Sequence, residues 1–213
     1  EVKGIDISQG RVTGVQTTRG QISAKKVGIV VAGRSGQVAA MAGMRLPIES
    51  HVLQAFVTEG LKPCIDHVIS FGMGHFYISQ SDKGGLVFGG DLDFYASYAQ
   101  RGNLPMKEHV MEAGMTLMPM IGKARVLRSW GGIMDMTPDG SPIIDKTDID
   151  GLYIDCGWCY GGFKAVPASG YCFAHLLATD NHHEFASGFR LDRFKTGYGL
   201  IDEEGTGSQH NLH

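Results

Sequence analysis

Residues 152–164, LYIDCGWCYGGFK, carry the residue types in this chain that are best spaced for chemistry. An apolar stretch typical of a buried strand runs into a glycine-rich loop, and a lysine stands at the far end of that loop. We expect a helix to open near Pro167, so that a strand, a glycine loop and a helix N-terminus form an anion cradle. Two chemistries fit: a dithiol of Cys156 and Cys159, or a cofactor loop at residues 161–164.

Cys156 and Cys159 have the CxxC spacing of dithiol oxidoreductases, in which the first cysteine lies at a helix N-terminus that lowers its pKa. Seven residues, two of them glycines, separate Cys159 from Pro167. Both cysteines are therefore expected in the loop, which favours two incidental small residues over a redox pair. A zinc site is not expected, because the sequence has no second CxxC and no matching histidine pair.

The sequence Gly161-Gly162-Phe163-Lys164 is the second candidate. Paired glycines let backbone N–H groups approach the face of a flat cofactor without an intervening Cβ. A lysine beside such a loop can bind a carboxylate as a point charge. The alternative is an ordinary turn with an exposed lysine, and spacing alone leaves both interpretations open.

A third candidate is the predicted strand of residues 125–133, which contains Arg125, Arg128 and Trp130. Strand alternation places Arg128 and Trp130 on one face and Arg125 on the other. An arginine beside an aromatic residue and glycines suits anion recognition. The same pattern also fits sheet-edge arginines whose stems cover apolar surface.

Composition narrows the class of protein. The 213 residues carry a net charge of −3, which gives no support to a nucleic-acid or membrane partner. No apolar run approaches the roughly 20 residues that span a bilayer, and no secretory signal is visible. With four cysteines, reduced thiols in a cytoplasm are expected. Because the chain opens on Glu1 inside a predicted meander, we expect it to be the C-terminal part of a longer protein.

The pattern of elements predicts an α+β chain with one α/β element at its end. The run at 27–32 is typical of a strand buried on both faces, and residues 75–80 and 85–89 flank a turn in a predicted hairpin. Residues 167–178 predict a buried helix, because they are apolar on nearly every side. A helix over 106–121 is predicted to bury Val110, Ala113, Gly114, Leu117, Met118 and Ile121. The residues expected to dock the polar tail are Phe189, Leu191 and Phe194.

Several segments together resemble a known family. Residues 27–35, VGIVVAGRS, resemble the strand-and-glycine signature of flavin-dependent amine oxidases of the D-amino-acid-oxidase superfamily. Residues 128–132, RSWGG, followed by 137–144, TPDGSPII, resemble its substrate-domain signature, and 157–164 resemble its C-terminal flavin loop. Within that superfamily the whole chain, including residues 189–203, is most similar to the β subunits of heterotetrameric sarcosine oxidases.

The resemblance implies an antiparallel-sheet substrate domain plus the C-terminal part of a Rossmann-like FAD-binding α/β domain. Residues 1–45 would end the FAD-binding domain, 46–148 would form the substrate domain, 149–180 would return to the FAD-binding domain, and 181–213 would form a tail. The family's N-terminal GxGxxG, which binds the FAD pyrophosphate, is not in this sequence. Neither is the histidine that carries covalent FMN in this type of subunit.

The resemblance also assigns residues to the FAD side of the site. Val2 falls where the family contacts the adenine side of FAD through its backbone. Cys159, Gly162 and Lys164 fall along the flavin-contacting loop, and Lys164 is the expected catalytic residue that holds the substrate carboxylate. Position 159 departs from the family, which usually has glycine there.

A second group of residues matches the region that faces FMN, namely Arg128, Arg125 and Lys83. Monomeric sarcosine oxidases carry an oxygen-activating lysine over the flavin, and the corresponding strand here, residues 86–89, has none. This departure fits the heterotetrameric kind, in which reduced FAD passes electrons to FMN.

The implied activity is oxidative demethylation of sarcosine to glycine and formaldehyde or methylene-tetrahydrofolate, with hydrogen peroxide. The implied partners are a small-molecule amine and the other subunits of a hetero-oligomer, without nucleic acid or membrane. A related FAD-dependent dehydrogenase of proline, glycine or dimethylglycine is one alternative. A non-catalytic fragment that serves subunit docking is another.

Overall fold

The computed structural model describes residues 1–72 and 76–195, apart from the side chain of Phe94. The chain divides into two compact units, one formed by Glu1–Ser50 with Met134–His213 and the other by His51–Ile133. Strands and helices both contribute to each unit, and most strand pairs are antiparallel. The predicted α+β class is confirmed.

The first unit opens with an antiparallel meander and continues through a short strand into a helix. Its elements are β1 (Val2–Ser8), β2 (Arg11–Thr17), β3 (Gly20–Ser23), β4 (Val27–Ile29) and α1 (Ser35–Ala40). β2 pairs with both β1 and β3 in antiparallel fashion. β4 leaves this meander and joins a separate sheet.

The second unit is built on one five-stranded sheet with the order β6-β7-β8-β5-β9. Its elements are β5 (Glu49–Gly60), β6 (Ile69–Phe71), β7 (Phe76–Gln80), β8 (Gly85–Ala96), α2 (Leu104–Leu117) and β9 (Val126–Met136). The predicted hairpin is confirmed, because β7 and β8 pair antiparallel around a turn closed by the N–H of Gly84 and the carbonyl of Ser81, 2.8 Å apart. His75, which the prediction included, lies outside the described residues.

Helix α2 packs part of its predicted face against the sheet. Its buried residues are Met106, Val110 and Gly114. Leu117 is 40% exposed, so the prediction is wrong there. The reason is that the helix ends at Leu117 and Met118 leaves the helical conformation with φ −137°. A short 3₁₀ helix, Pro119–Lys123, then brings Ile121 back into the apolar core, as predicted.

The chain then returns to the first unit through β10 (Ile143–Lys146), β11 (Leu152–Cys156) and α3 (Gly162–Thr179). These strands form a sheet with the order β10-β11-β4, in which β11 and β4 are parallel. Helix α3 packs on this sheet so closely that a Cβ at Gly28 would lie 2.9 Å from the Phe173 ring. Further 3₁₀ helices span Ala32–Arg34, Glu184–Ala186 and Leu191–Phe194.

Two burial predictions are wrong in the first unit. Val30 and Val31 are 57% and 41% exposed within the described residues, because β4 ends at Ile29 and both residues follow the strand. Helix α3 buries Cys172, Phe173 and Leu176, whereas Tyr171, within the predicted range 167–178, is 64% exposed. The helix is therefore covered on one side within the described residues.

The tail after α3 docks on the first unit as predicted. Phe189 packs against one apolar cluster, and Leu191 and Phe194 pack against another. Between them, Arg193 forms a bidentate ion pair with Asp139, with Nε to Oδ2 at 2.8 Å and Nη2 to Oδ1 at 3.1 Å. Nη2 of Arg193 also donates to the backbone carbonyl of Ser141, two residues after Asp139, at 2.8 Å.

Across residues 1–72 and 76–195, none of the helices has both the length and the apolar character needed to cross a bilayer.

Two helical glycines give a matched test of this packing. A Cβ at Gly114 of α2 would lie 2.8 Å from the Phe76 ring, whereas Gly170 of α3 has no heavy atom within 4 Å of that position. Gly114→Ala should destabilise the protein by about 1–3 kcal/mol through overpacking. Gly170→Ala should stabilise it by about 0.5–1 kcal/mol through helix propensity. Urea unfolding of both variants checks the signs, and a stabilised Gly114→Ala would contradict the packing.

Candidate functional site

The glycine loop of residues 157–161 lies at the carboxyl end of the parallel pair β4 and β11. Leu152 of β11 is aligned with Val27 of β4, so the segments that follow both strands leave the sheet at the same edge. In α/β proteins, ligands bind outside the carboxyl ends of such strands. Since α3 begins directly after the loop, this edge is the candidate site of the first unit.

Helix α3 begins at Gly162, which is earlier than the start predicted near Pro167. The N–H of Ala165 donates to the carbonyl of Gly161 at 3.2 Å and closes the first turn. Pro167 lies in the second turn, where its missing N–H costs one helical hydrogen bond without ending the helix. The cysteines consequently lie closer to the helix than predicted, but still outside its first turn.

The first turn of α3 offers unpaired donors to a ligand. The amides of Gly162, Phe163 and Lys164 have no intrahelical acceptor, and Gly161 provides no side-chain cap. Lys164 is exposed and adds its positive charge to the positive end of the helix dipole. This corner therefore favours an anionic group such as a carboxylate, and Lys164 lies on the helix instead of at the end of the loop.

The loop itself has a constrained backbone. Cys159 has φ +50°, a left-handed conformation that costs a residue with a Cβ roughly 1–2 kcal/mol. Its N–H donates to the backbone carbonyl of Asp135 at 3.1 Å. Gly157 has φ +73° and a Cβ there would collide with Thr137. A glycine at position 159 would adopt this conformation without that cost.

Two buried carboxylates lie beneath the loop, Asp135 at 3% exposure and Asp155 at 5%. Oδ2 of Asp135 accepts the N–H of Gly157 at 2.5 Å, and Oδ1 of Asp155 accepts the indole N–H of Trp158 at 2.6 Å. Burial raises the pKa of both carboxyls, these hydrogen bonds oppose the rise, and the charge of Asp135 adds to the rise at Asp155. Sequence reasoning missed both residues, although an acid at the end of an apolar strand was a usable signal.

The thiols of the CxxC sequence are poorly suited to redox chemistry. Cys156 belongs to β11 and is fully buried, and burial raises the pKa of its thiol well above the ordinary value. Burial also raises the pKa of the Cys159 thiol, whose Sγ lies 3.6 Å from the Thr137 hydroxyl. Both cysteines are free. Since the reactive form of a cysteine is the thiolate, the geometry disfavours an activated dithiol.

Val2 lies on a different sheet from the glycine loop, at the start of β1. The preceding carboxylate of Glu1 forms an ion pair with Lys3 at 2.8 Å. Lys3 lowers the pKa of Glu1, and Arg34, which follows β4, lowers it further.

Lys83, Arg125 and Arg128 lie in the second unit. Lys83 is in the turn between β7 and β8, and its carbonyl lies 2.9 Å from the position of a Cβ at Gly60. The carbonyl of Arg125 accepts the N–H of Glu59 at 2.9 Å. Because β5 lies between β8 and β9 in the sheet, the backbones of Lys83 and Arg125 flank the end of β5 from opposite sides. Arg128 follows on the edge strand β9, exposed to solvent.

A cleft of about 780 Å³ lies elsewhere in the first unit, lined by residues 43–47, 145–148, 190–192 and 194–195. None of the residues predicted for the site lines it. The candidate site is therefore assigned to the glycine loop, because of the backbone geometry of that loop.

Comparison with known proteins gives consistent similarities. The chain is 67% identical over all 213 residues to the sarcosine oxidase subunit beta of Rhizobium meliloti strain 1021, covering 51% of that protein. It is 48% identical over 210 residues to the sarcosine oxidase subunit beta of Rhodobacter capsulatus, covering 99% of this chain and 50% of that protein. The chain thus spans about half the length of these curated relatives.

A solved structure shares the fold. The L-proline dehydrogenase from P. horikoshii superimposes with a TM-score of 0.79 at 28% identity, over 92% of this chain and 54% of that one. A family model described as DAO, FAD dependent oxidoreductase, matches residues 1–176. This chain therefore belongs to the DAO family of FAD-dependent oxidoreductases.

Proposed function

We propose that this chain takes part in the flavin-dependent oxidative demethylation of sarcosine, as part of a multi-subunit sarcosine oxidase. The products would be glycine and formaldehyde or methylene-tetrahydrofolate, with hydrogen peroxide. The observation that carries the proposal is the 67% identity to a sarcosine oxidase subunit beta over all 213 residues, a span that includes the candidate site. Because the chain spans half of that relative, the activity is assigned to the complete protein.

The candidate site fits FAD, which when bound supplies the acceptor for the electron pair removed from the amine. We propose that Val2, Cys159 and Gly162 contact FAD through their backbones. Gly162 and the unpaired first amides of α3 support this, since they let main-chain donors approach a flat ring system. Lys164 would bind FAD and also hold the substrate carboxylate in the orientation needed for reaction.

We further propose that FMN is the second cofactor and that Lys83, Arg125 and Arg128 face it. The support is that all three cations are exposed in the second unit, with Lys83 and Arg125 on either side of the end of β5 and Arg128 farther along β9. The other subunits of the oxidase would be the partner chains, in the cytoplasm. Residues 1–45 and 149–180 are proposed for the FAD-binding domain, 46–148 for the substrate domain and 181–213 for the tail.

A second candidate is a related FAD-dependent dehydrogenase of proline, glycine or dimethylglycine. The observation that favours it is the 28% identity to the L-proline dehydrogenase structure over 92% of this chain. Subunit docking without catalysis is the third candidate, and it predicts a colourless preparation.

One experiment separates these candidates. The complete protein, purified with its partner chains, should show a flavin absorption spectrum, and acid precipitation should release FAD while leaving covalent FMN in the pellet. Within a panel of sarcosine, proline, glycine and dimethylglycine, sarcosine should have the highest kcat/KM. A preference for proline would support the second candidate, and a flavin-free, inactive complex would support the third.

A further inference from the structure

Trp158 lies at the centre of the contacts that join strand β11 to the start of α3. Its indole N–H donates to Oδ1 of Asp155 at 2.6 Å, and its carbonyl accepts the N–H of Gly161 at 2.8 Å. Its side chain also backs the first helical residue, because a Cβ at Gly162 would lie 3.2 Å from the Cβ of Trp158. One residue therefore connects the buried strand, the glycine loop and the helix N-terminus.

The partner of the indole is fixed within the sheet. Asp155 is the fourth residue of β11, and strand pairing aligns it with Ile144 of β10. Its carboxylate is 5% exposed, so the loss of the Trp158 donor would leave an acceptor buried without that hydrogen bond. This cost favours one orientation of the indole. The hydrogen bond thereby fixes the loop in position relative to β11.

Asp135 performs a different task in the same loop. Its carboxylate accepts the N–H of Gly157, and its backbone carbonyl accepts the N–H of Cys159. Both donors are main-chain groups, so they do not depend on the side chains at positions 157 and 159. The bond between Asp155 and Trp158 joins two side chains. It is therefore a contact beneath the loop that depends on the identity of both residues.

We infer that Asp155 and Trp158 form a positioning pair that sets where Gly162 and Lys164 stand for the cofactor and the substrate carboxylate. This inference rests on the proposed function. Neither residue is assigned a contact with the substrate; the pair acts through Gly162, the first residue of α3, and so on Lys164 two residues later. Since a displacement of about 1 Å can cost a reaction on the order of 100-fold, a small shift of this turn has a measurable effect.

The test uses Trp158→Phe and Asp155→Leu in the complete protein. Trp158→Phe keeps an aromatic ring and the Cβ that contacts Gly162, and it removes the indole donor together with part of the ring volume. Asp155→Leu removes the same hydrogen bond while Trp158 stays intact. Each variant should raise the KM for sarcosine on the order of 10-fold or more, with a smaller change in kcat. The double variant should be no worse than the worse single variant, because both changes remove the same contact. Additive effects, or an unchanged KM in Trp158→Phe, would overturn the inference.

Asp155→Asn is the conservative variant. Its side-chain oxygen still accepts from the indole, so the KM should return to within about 3-fold of that of the parent protein. A purely structural role of the buried acid would instead move thermal stability in all the variants without separating KM from kcat. A KM in Asp155→Asn as high as in Asp155→Leu would contradict the positioning pair.

A second measurement does not depend on turnover. In protein labelled with 5-fluorotryptophan, the ¹⁹F resonance absent from Trp158→Phe belongs to Trp158. That resonance should shift in Asp155→Leu and return close to its original position in Asp155→Asn. A shift in a protein that does not oxidise sarcosine would refute the proposed function and retain the pair. An unmoved resonance in Asp155→Leu would refute the pair itself.

Discussion

Replacing Lys164 with methionine in the complete protein should raise the KM for sarcosine on the order of 10-fold to 100-fold. The change removes a charge-assisted hydrogen bond to the substrate carboxylate and leaves an aliphatic side chain of similar length. The unpaired amides of the first turn of α3 remain, so binding should weaken without being abolished. Steady-state kinetics of the purified complex, with sarcosine as the variable substrate, gives the measurement.

Lys62→Met is the matched control for this prediction. Lys62 is also exposed, and it lies in the second unit on the connection after β5. The same loss of charge there should leave the KM within about 2-fold of that of the parent protein. If Lys164→Met behaved like Lys62→Met, Lys164 would be removed from the substrate site.

Replacing Arg193 with methionine should lower the free energy of unfolding by about 3–5 kcal/mol, because the buried carboxylate of Asp139 loses its cationic partner. The two side chains are 6% and 5% exposed and joined by a bidentate contact. The carbonyl of Ser141 would lose the Arg193 donor and keep the Thr137 hydroxyl as its remaining one. Urea unfolding at neutral pH measures this loss of unfolding free energy. The loss should be largest for the first unit, because both residues lie there.

Arg190→Met separates burial from charge in this prediction. Arg190 pairs with Asp192 at 3.4 Å, but both side chains are about half exposed, so the variant should cost no more than about 1 kcal/mol. Adding Asp139→Asn to Arg193→Met should recover part of the lost stability, since the buried charge disappears. Equal costs for Arg193→Met and Arg190→Met would show that the tail ion pair is energetically a surface pair.

The features predictable from the sequence are those set by local pattern and chain chemistry. The hairpin at Ser81 and Gly84 follows from two strand-like runs around a turn, and the docking of Phe189 and Phe194 follows from isolated aromatic residues in a polar tail. The glycine loop before α3 was predictable because glycine spacing encodes backbone freedom. The family resemblance was carried by the same segments.

The remaining features depend on what packs against each element. Val30 and Val31 carry the apolar pattern of a central strand, but they are exposed because β4 ends at Ile29. Pro167 is a frequent first residue of helices, yet the helix starts earlier because Gly161 can accept the first turn's hydrogen bond. Asp135 and Asp155 were missed because the sequence shows an acid at the end of an apolar strand but does not show that the fold brings both acids beneath one loop.

The left-handed backbone at Cys159 has a consequence for the sequence variation that this position can accept. A substitution library there should retain glycine, asparagine and aspartate readily and reject valine, isoleucine and threonine, since β-branched residues are the least tolerant of positive φ. The substitutions that give folded protein would then be determined by backbone conformation and not by the presence of a thiol. Cysteine at position 159 is, in that sense, a permitted occupant of a glycine position.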